Sequence, residues 1–317
     1  MDRAGALTRA VAAFAADHLR ADEVCVGLSG GPDSLALTAA AVHAGLSVRA
    51  LVVDHRLQHG SADVATAAAR AARALGARAE VLEVSVGHDG GMEAAARDAR
   101  YTALELARDG LPVLLAHTMD DQAETVLLGL ARGSGSRSIA GMRPWSPPWG
   151  RPLLGLRRAD TVGACADWGL APHTDPHNSD PRFTRVRLRA EVIPLLEDVL
   201  HGGVVEALAR TASALQGDND ALDDLAEQAY RAAGSGEDST ELGVGGLADL
   251  PDAVRTRVFR RWLYDVGATG PTSRVIGAVD ALAVGRTRGH VAIGGTPQYR
   301  RVVCRVGDRL TITDLPR

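Results

Sequence analysis

The sequence predicts an α/β protein: a parallel sheet flanked by helices over residues 1–200, then a smaller, mostly helical part with a small terminal sheet over residues 201–317. Three observations carry this. Apolar strand-like runs alternate with helix-like segments four times in the first part. The first strand runs into a glycine-rich turn that opens at once on a helix. Beyond residue 140 the alternation gives way to proline-rich loops and long helical patterns.

Residues 24–28 read as a buried strand, and 33–43 as a helix stopped by Gly45. A second apolar run, 47–53, closes on Asp54-His55. Residues 62–75 are alanine-rich and helical with Gly76 past their end, and 78–86 alternate like a strand. A helix at 93–109, a buried strand at 111–116 and a helix at 120–130 complete the series. Repeated crossovers of this kind make a parallel sheet with helices on both faces. Ligands bind such sheets beyond the carboxyl ends of the strands. Ser29, Asp54 and His117 all stand there, so one crevice is expected to collect them. The runs RPWSPPWGRP (143–152) and HTDPHNSDPRFTR (173–185) read as loops, 190–200 and 204–233 as helices, and 234–246 as a flexible connector. A helix near 253–266 and short strands at 290–293 and 302–306 end the chain.

Composition excludes several classes. With 46% hydrophobic, 23% charged and only 3% aromatic residues, the core must be built from Ala, Val and Leu. No apolar stretch approaches the roughly 18 residues of a membrane helix. Asp2, Arg3, Arg9, Asp17 and Arg20 do not read as a signal peptide, so a cytoplasmic protein is expected. Cys25, Cys165 and Cys304 are scattered and form no CxxC, which argues against disulfide, zinc and iron–sulfur frameworks. All 35 basic residues are arginine. Genomic base bias accounts for that, yet it still excludes a Walker A lysine and any Schiff-base lysine. The net charge of -4 hides an asymmetry: eleven arginines from Arg255 to Arg309 face only Asp265, Asp280 and Asp308. A basic face for nucleic acid and an ion-paired surface are both open readings.

Two motifs carry chemistry. Ser29-Gly30-Gly31-Pro32-Asp33-Ser34 places small residues at a helix start, where N–H groups unshielded by Cβ atoms cradle phosphate. A structural turn is the plain alternative, and the GxGxxG dinucleotide pattern is absent. His117-Thr118-Met119-Asp120-Asp121-Gln122-Ala123-Glu124 follows a strand end. Thr118 and Asp121 suit a capping box. A strand-end His followed by two carboxylates and a Gln exceeds what a cap needs, and near phosphates such carboxylates bind metal or orient a nucleophile.

SGGxDS resembles the PP-loop of the ATP pyrophosphatases, which use no loop lysine. The block HTMDDQAETVLLGLARGSGSRSIAGM is similar to that of tRNA(Ile)-lysidine synthetases, as are VVDHRLQHGS, EAAARDARY, RPLLGLRR and DPHNSDPRFTRVRLRAEVIPLL. The resemblance spans roughly residues 24–200; Val186 departs from it, standing where the family has Asn. It implies a Rossmann-like PP-loop domain of the adenine nucleotide α-hydrolase type. ATP would adenylate a wobble cytidine of tRNA(Ile) with anticodon CAU, and free L-lysine would displace AMP. It further implies that Ser29 to Ser34 hold pyrophosphate, that Asp54 and His55 line the adenosine side, and that Asp33 and Asp121 bind Mg²⁺. His117 becomes the electrostatic or acid–base partner. Arg97, Arg100, Arg132, Arg185 and Arg189 become phosphate or RNA contacts, with surface ion pairing an equal alternative for each. A homodimer is compatible with it, and no membrane partner is expected. The rivals are a PP-loop tRNA thiolase, which needs cysteines or an iron–sulfur site, an amidotransferase-type synthetase, and a non-catalytic RNA-binding protein.

Overall fold

The computed structural model describes residues 2–56, 60–84, 92–133, 135–173, 180–234 and 240–317. Asp175 and Asn178 of the last motif, and residues 235–239 of the expected connector, lie outside the described residues. The chain divides into two compact units, Met1–Leu215 and Gln216–Arg317. The sequence pattern suggested a boundary at residue 200. The division by compactness falls inside a 29-residue helix, Val204–Ala232, whose continuous amphipathic pattern carries no mark of it.

The first unit opens with α1 (Arg3–His18), an element the strand–helix reading passed over. Leu7, Val11 and Phe14 recur at helical spacing and are buried, and Asp2 caps the helix by accepting from Gly5 N at 2.8 Å. The alternation then follows as β1 (Glu23–Leu28), α2 (Pro32–His43), β2 (Ser47–Asp54), α3 (Ser61–Ala74), β3 (Arg78–Glu83), α4 (Met92–Ala107), β4 (Val113–Leu114) and α5 (Met119–Ala131). After it come α6 (Ser136–Ile139), β5 (Trp145–Ser146), β6 (Trp149–Gly150), α7 (Arg158–Asp167), α8 (Thr184–Arg187), a π-helical turn (Leu188–Val192), α9 (Ile193–Val199) and α10 (Val204–Ala232).

The sheet runs β3-β2-β1-β4-β6-β5, parallel except for β5 on the edge. Leu28 lies opposite Val52, and Val26 opposite Leu114. β1 is therefore central, with the ends of β2 and β4 on either side of it. The loop expected at residues 143–152 contributes the last two strands, and Gly150 is required there. A Cβ at Gly150 would stand 2.6 Å from the Phe14 ring. Packing is close because it is built on alanine: Ala36, Ala40, Ala65, Ala68, Ala69 and Ala72 all belong to the main core. Small side chains let α2 and α3 lie near the sheet, which holds the start of α2 firmly at the strand ends.

The second unit contains the latter part of α10, β7 (Glu241–Gly243), α11 (Asp252–Asp265), α12 (Ser273–Ala283), β8 (His290–Gly295), β9 (Tyr299–Val306) and β10 (Arg309–Pro316). The antiparallel sheet order is β7-β10-β9-β8. Phe259, Trp262 and Leu263 of α11 are fully buried and share a core with Ile276, Val279, Leu242, Val303 and Leu310. Among the described residues no helix is long and apolar enough to cross a membrane.

Candidate active site

The turn after β1 holds its shape through its own hydroxyls. Ser34 Oγ donates to Gly31 O at 3.1 Å, accepts from Ser29 N at 3.1 Å, and lies 3.0 Å from Ser29 Oγ. Gly30 has φ +84°, the left-handed region that favours glycine. Gly31 is the N-cap of α2 and provides no side-chain cap, and Pro32 fills the first turn. The helix start therefore presents its N–H groups outward with no side chain covering them. Beside Gly30 a cavity of about 270 Å³ is lined by Leu35, Asp63, Ala68 and His173, among others.

Asp33, in the first turn of α2, accepts a hydrogen bond from Thr161 Oγ1 and faces Arg158 Nη1 at 3.0 Å. Burial pushes its carboxyl above the ordinary value, against the pull of Arg158 and Thr161. Asp121 reaches the same guanidinium from β4's side of the sheet. Its Oδ1 lies 2.7 Å from Arg158 Nη2, while its Oδ2 accepts from Thr118 N and Thr118 Oγ1, both at 2.8 Å. One oxygen caps the helix and the other faces the site, so the capping and functional readings of Asp121 are compatible. Burial alone would raise this carboxyl too, but Arg158 and the Thr118 bonds outweigh it and hold Asp121 below the usual range. Burial thus dominates at Asp33, and Arg158 with the Thr118 bonds dominates at Asp121.

His117, just before the Thr118 cap, is pushed down to about 3, by burial first and then by Arg100, Arg151 and Arg97, against the opposing pull of Asp121. It is a neutral imidazole at physiological pH, and its buried Nδ1 has no hydrogen-bond partner. His55 Nδ1 is likewise buried and unpartnered. Burial and Arg100 lower His55 as well. Asp54, at the end of β2, is buried and accepts from Arg56 N at 2.9 Å.

The remaining expected residues divide. Arg185 and Arg189 turn inward to Glu124, whose side chain is fully buried: Arg189 Nη2 lies 2.7 Å and Arg185 Nη1 3.5 Å from its carboxylate. Arg132, the C-cap of α5, is exposed. Asp120 serves the scaffold, accepting from Arg158 N at 2.8 Å and from Arg157 at 3.3 Å. Sequence reasoning missed Arg158 and Thr161. The string RPLLGLRR contains Arg158, and a signal was present in Asp160, three residues after Arg157. That spacing forms the box that starts α7, with Arg157 N donating to Asp160 at 3.0 Å.

In the second unit, five of the eleven arginines are committed to carboxylates. Arg255 is buried against Asp280 and Asp252, Arg257 binds Asp223, Arg261 binds Asp265, Arg301 binds Asp314 and Arg309 binds Glu241. Arg274, Arg286, Arg288, Arg300 and Arg305 are exposed, and none has a carboxylate partner among the described residues. Arg305 Nη1 would stand 3.2 Å from a Cβ at Gly285, which sets it against the turn that carries Arg286 and Arg288.

A glycine turn with an uncapped helix start at the centre of a parallel sheet, faced by Asp120 and Asp121 beyond the neighbouring strand, is the arrangement of a PP-loop protein. The PP-loop domain model matches residues 5–196, and the TilS substrate binding domain model matches residues 242–311. The chain is 60% identical to the tRNA(Ile)-lysidine synthase of Nocardia farcinica, over 96% of this chain and 97% of that one. It is 59% identical to the same enzyme of Mycobacterium tuberculosis, over 96% and 95%. The chain belongs to the tRNA(Ile)-lysidine synthase family. A solved structure, the U34-tRNA thiolase NcsA from Methanococcus maripaludis with its [4Fe-4S] cluster, aligns with a TM-score of 0.52 at 18% identity, covering 67% of this chain and 78% of that one. At that identity the likeness concerns the fold.

Proposed function

We propose that the chain uses ATP to join free L-lysine to the wobble cytidine of tRNA(Ile) bearing the anticodon CAU. The cytidine O2 attacks the α-phosphate and pyrophosphate leaves, forming an adenylated cytidine. The lysine side-chain amine then attacks C2, and AMP departs with the oxygen. Adenylation comes first because a carbonyl-type oxygen is a poor leaving group until it is esterified to phosphate. The product reads as isoleucine where the unmodified tRNA would be taken for methionine.

The observation that carries this reading is the meeting of Asp33 and Asp121 on one guanidinium at the uncapped start of α2. In the proposed roles, Ser29 to Ser34 orient the pyrophosphate through N–H and hydroxyl donors, and Asp54 and His55 line the adenosine side. His117, kept neutral by burial, acts as an uncharged electrostatic partner beside Asp121. The donor set fits Mg²⁺: such ions take one or two carboxylates and complete their shell with phosphate and water. Asp33 and Asp121 would hold the ion, and when bound it would neutralise charge on the departing pyrophosphate.

Docking of tRNA falls to the second unit, residues 201–317 in the sequence division, through the arginines that have no carboxylate partner. Arg132 adds an RNA contact in the first unit. Arg185 and Arg189 act there through Glu124, so an RNA role for them requires that this pair open. A cytoplasmic site suits a tRNA substrate, and a homodimer is compatible with every role above. The test is AMP release. It should require lysine and tRNA(Ile) together with ATP, and Asp33→Asn should lower it by orders of magnitude. Release independent of lysine would remove the ligase reading.

A further inference from the structure

Arg158 bridges two carboxylates that arrive from different parts of the sheet. Its Nη1 is 3.0 Å from Asp33 and its Nη2 2.7 Å from Asp121. All three side chains are largely buried, at 27%, 17% and 15% exposure for Arg158, Asp33 and Asp121. A further donor, Arg158 Nε, is buried with no hydrogen-bond partner. One hydrogen bond to Asp121 and an ion pair with Asp33 make a charge-assisted tie. It also occupies the oxygens a divalent cation would use.

The guanidinium is not what secures α7. The backbone of Arg158 is bonded to Asp120, Arg157 N to Asp160, and Thr161, Ala164 and Cys165 bury that helix's inner face. The side chain can therefore leave its carboxylates while its Cα stays in place. Competition for the same oxygens argues that it does. Two carboxylates alone would repel each other, one arginine offsets half of their charge, and that arginine plus a divalent ion in the same space would leave an excess of positive charge. Nucleotide phosphates would reverse that excess and give the displaced guanidinium, with its unpaired Nε–H, an acceptor.

We propose that Arg158 is a removable counter-ion: it holds Asp33 and Asp121 while no nucleotide is bound and yields them when a divalent cation enters with ATP. This rests on the reading of Asp33 and Asp121 as metal ligands. Metal and nucleotide then favour each other's binding, and the coupling is reciprocal. Free metal ion by itself binds poorly.

The test is a titration of the full chain with Mn²⁺ alone, followed by the electron paramagnetic resonance signal of the unbound ion, with and without a non-hydrolysable ATP analogue. Arg158→Gln should bind Mn²⁺ without nucleotide roughly tenfold more tightly than the unaltered chain, a factor equal to about 1.4 kcal/mol. Adding Asp33→Asn to that variant should abolish the gain. Circular dichroism checks folding. Should Arg158→Gln not fold, Arg158→Lys keeps the charge but loses the fork, and it should show a smaller gain in the same direction. A folded variant that binds Mn²⁺ no better than the unaltered chain overturns the proposal. If both still bind Mn²⁺ with the analogue, the metal assignment stands and only the counter-ion idea falls. If neither binds it under any condition, both fall together.

Discussion

Glu124, fully buried, is held by Arg189, whose Nε and Nη2 lie 2.8 and 2.7 Å from one carboxylate oxygen. The acid sits one helical turn beyond Asp121 on α5, and the base comes from the π-helical turn Leu188–Val192. The pair thus clamps the segment after α8 onto the helix that supplies the site. Burial raises the Glu124 carboxyl even with Arg189 beside it.

Breaking this pair from the basic side should be costly. Arg189→Ala leaves a buried carboxylate with only the longer Arg185 contact, and should destabilise the first unit by about 3 kcal/mol, the low end for an orphaned buried charge. Arg189 is a third exposed, which keeps the effect at that end. Glu124→Gln should cost less, because the amide removes the charge along with the bond. Urea unfolding of each variant measures both, and equal small losses would place this pair with ordinary surface salt bridges.

His117 sets the acid side of stability. Its folded pKa of about 3 lies below the ordinary 6.5, so between those values the unfolded chain binds the additional proton. Stability from this residue is full above pH 6.5 and is lost as pH falls toward 3, at about 1.4 kcal/mol per pH unit. Asp121, lowered in the fold, adds loss in the same direction once pH falls below its unfolded value. Asp33 and Glu124, both raised, oppose it, since their burial penalty is relieved by protonation. His117→Gln should flatten the decline between pH 6.5 and 5. Thermal melts across that range decide it, and an unchanged slope would mean that the imidazole protonates freely in the fold.

The parallel sheet and its ligand edge were legible because buried strands and amphipathic helices alternate, and because Ser29, Asp54 and His117 mark strand ends. Periodicity could not reveal β5 and β6, two residues each, which pair only through tertiary packing around Phe14 and Gly150. Nor did it reveal α12 or β10, whose patterns are short or carry polar residues on a half-exposed face. Asp33 and Asp121 stand 88 residues apart in number, and their meeting depends on Arg158, which no local pattern assigns. The basic C-terminal stretch was legible as composition alone. Which arginines are committed to carboxylates depends on acids such as Asp223 and Glu241, far away in sequence.

That division of the arginines predicts a graded salt response. Arg286→Gln and Arg288→Gln should each lower the slope of log affinity against log salt for tRNA by about one unit or somewhat less. They should do so almost independently of the anticodon, because phosphate contacts position RNA without reading it. Arg301→Gln, which breaks a pair with Asp314, should leave the slope nearly unchanged. Filter binding over a salt series separates the three, and equal slopes throughout would make Arg286 and Arg288 ordinary solvated charges.

The chemistry at the wobble cytidine is decided by mass spectrometry of the digested tRNA. The purified chain, ATP, Mg²⁺, free lysine and an unmodified isoleucine tRNA with anticodon CAU are incubated together, and the anticodon fragment is weighed. The expected product is a cytidine heavier by lysine less one water, formed only when lysine is present and unaffected by sulfur donors. An unmodified cytidine, or one carrying sulfur, would contradict it.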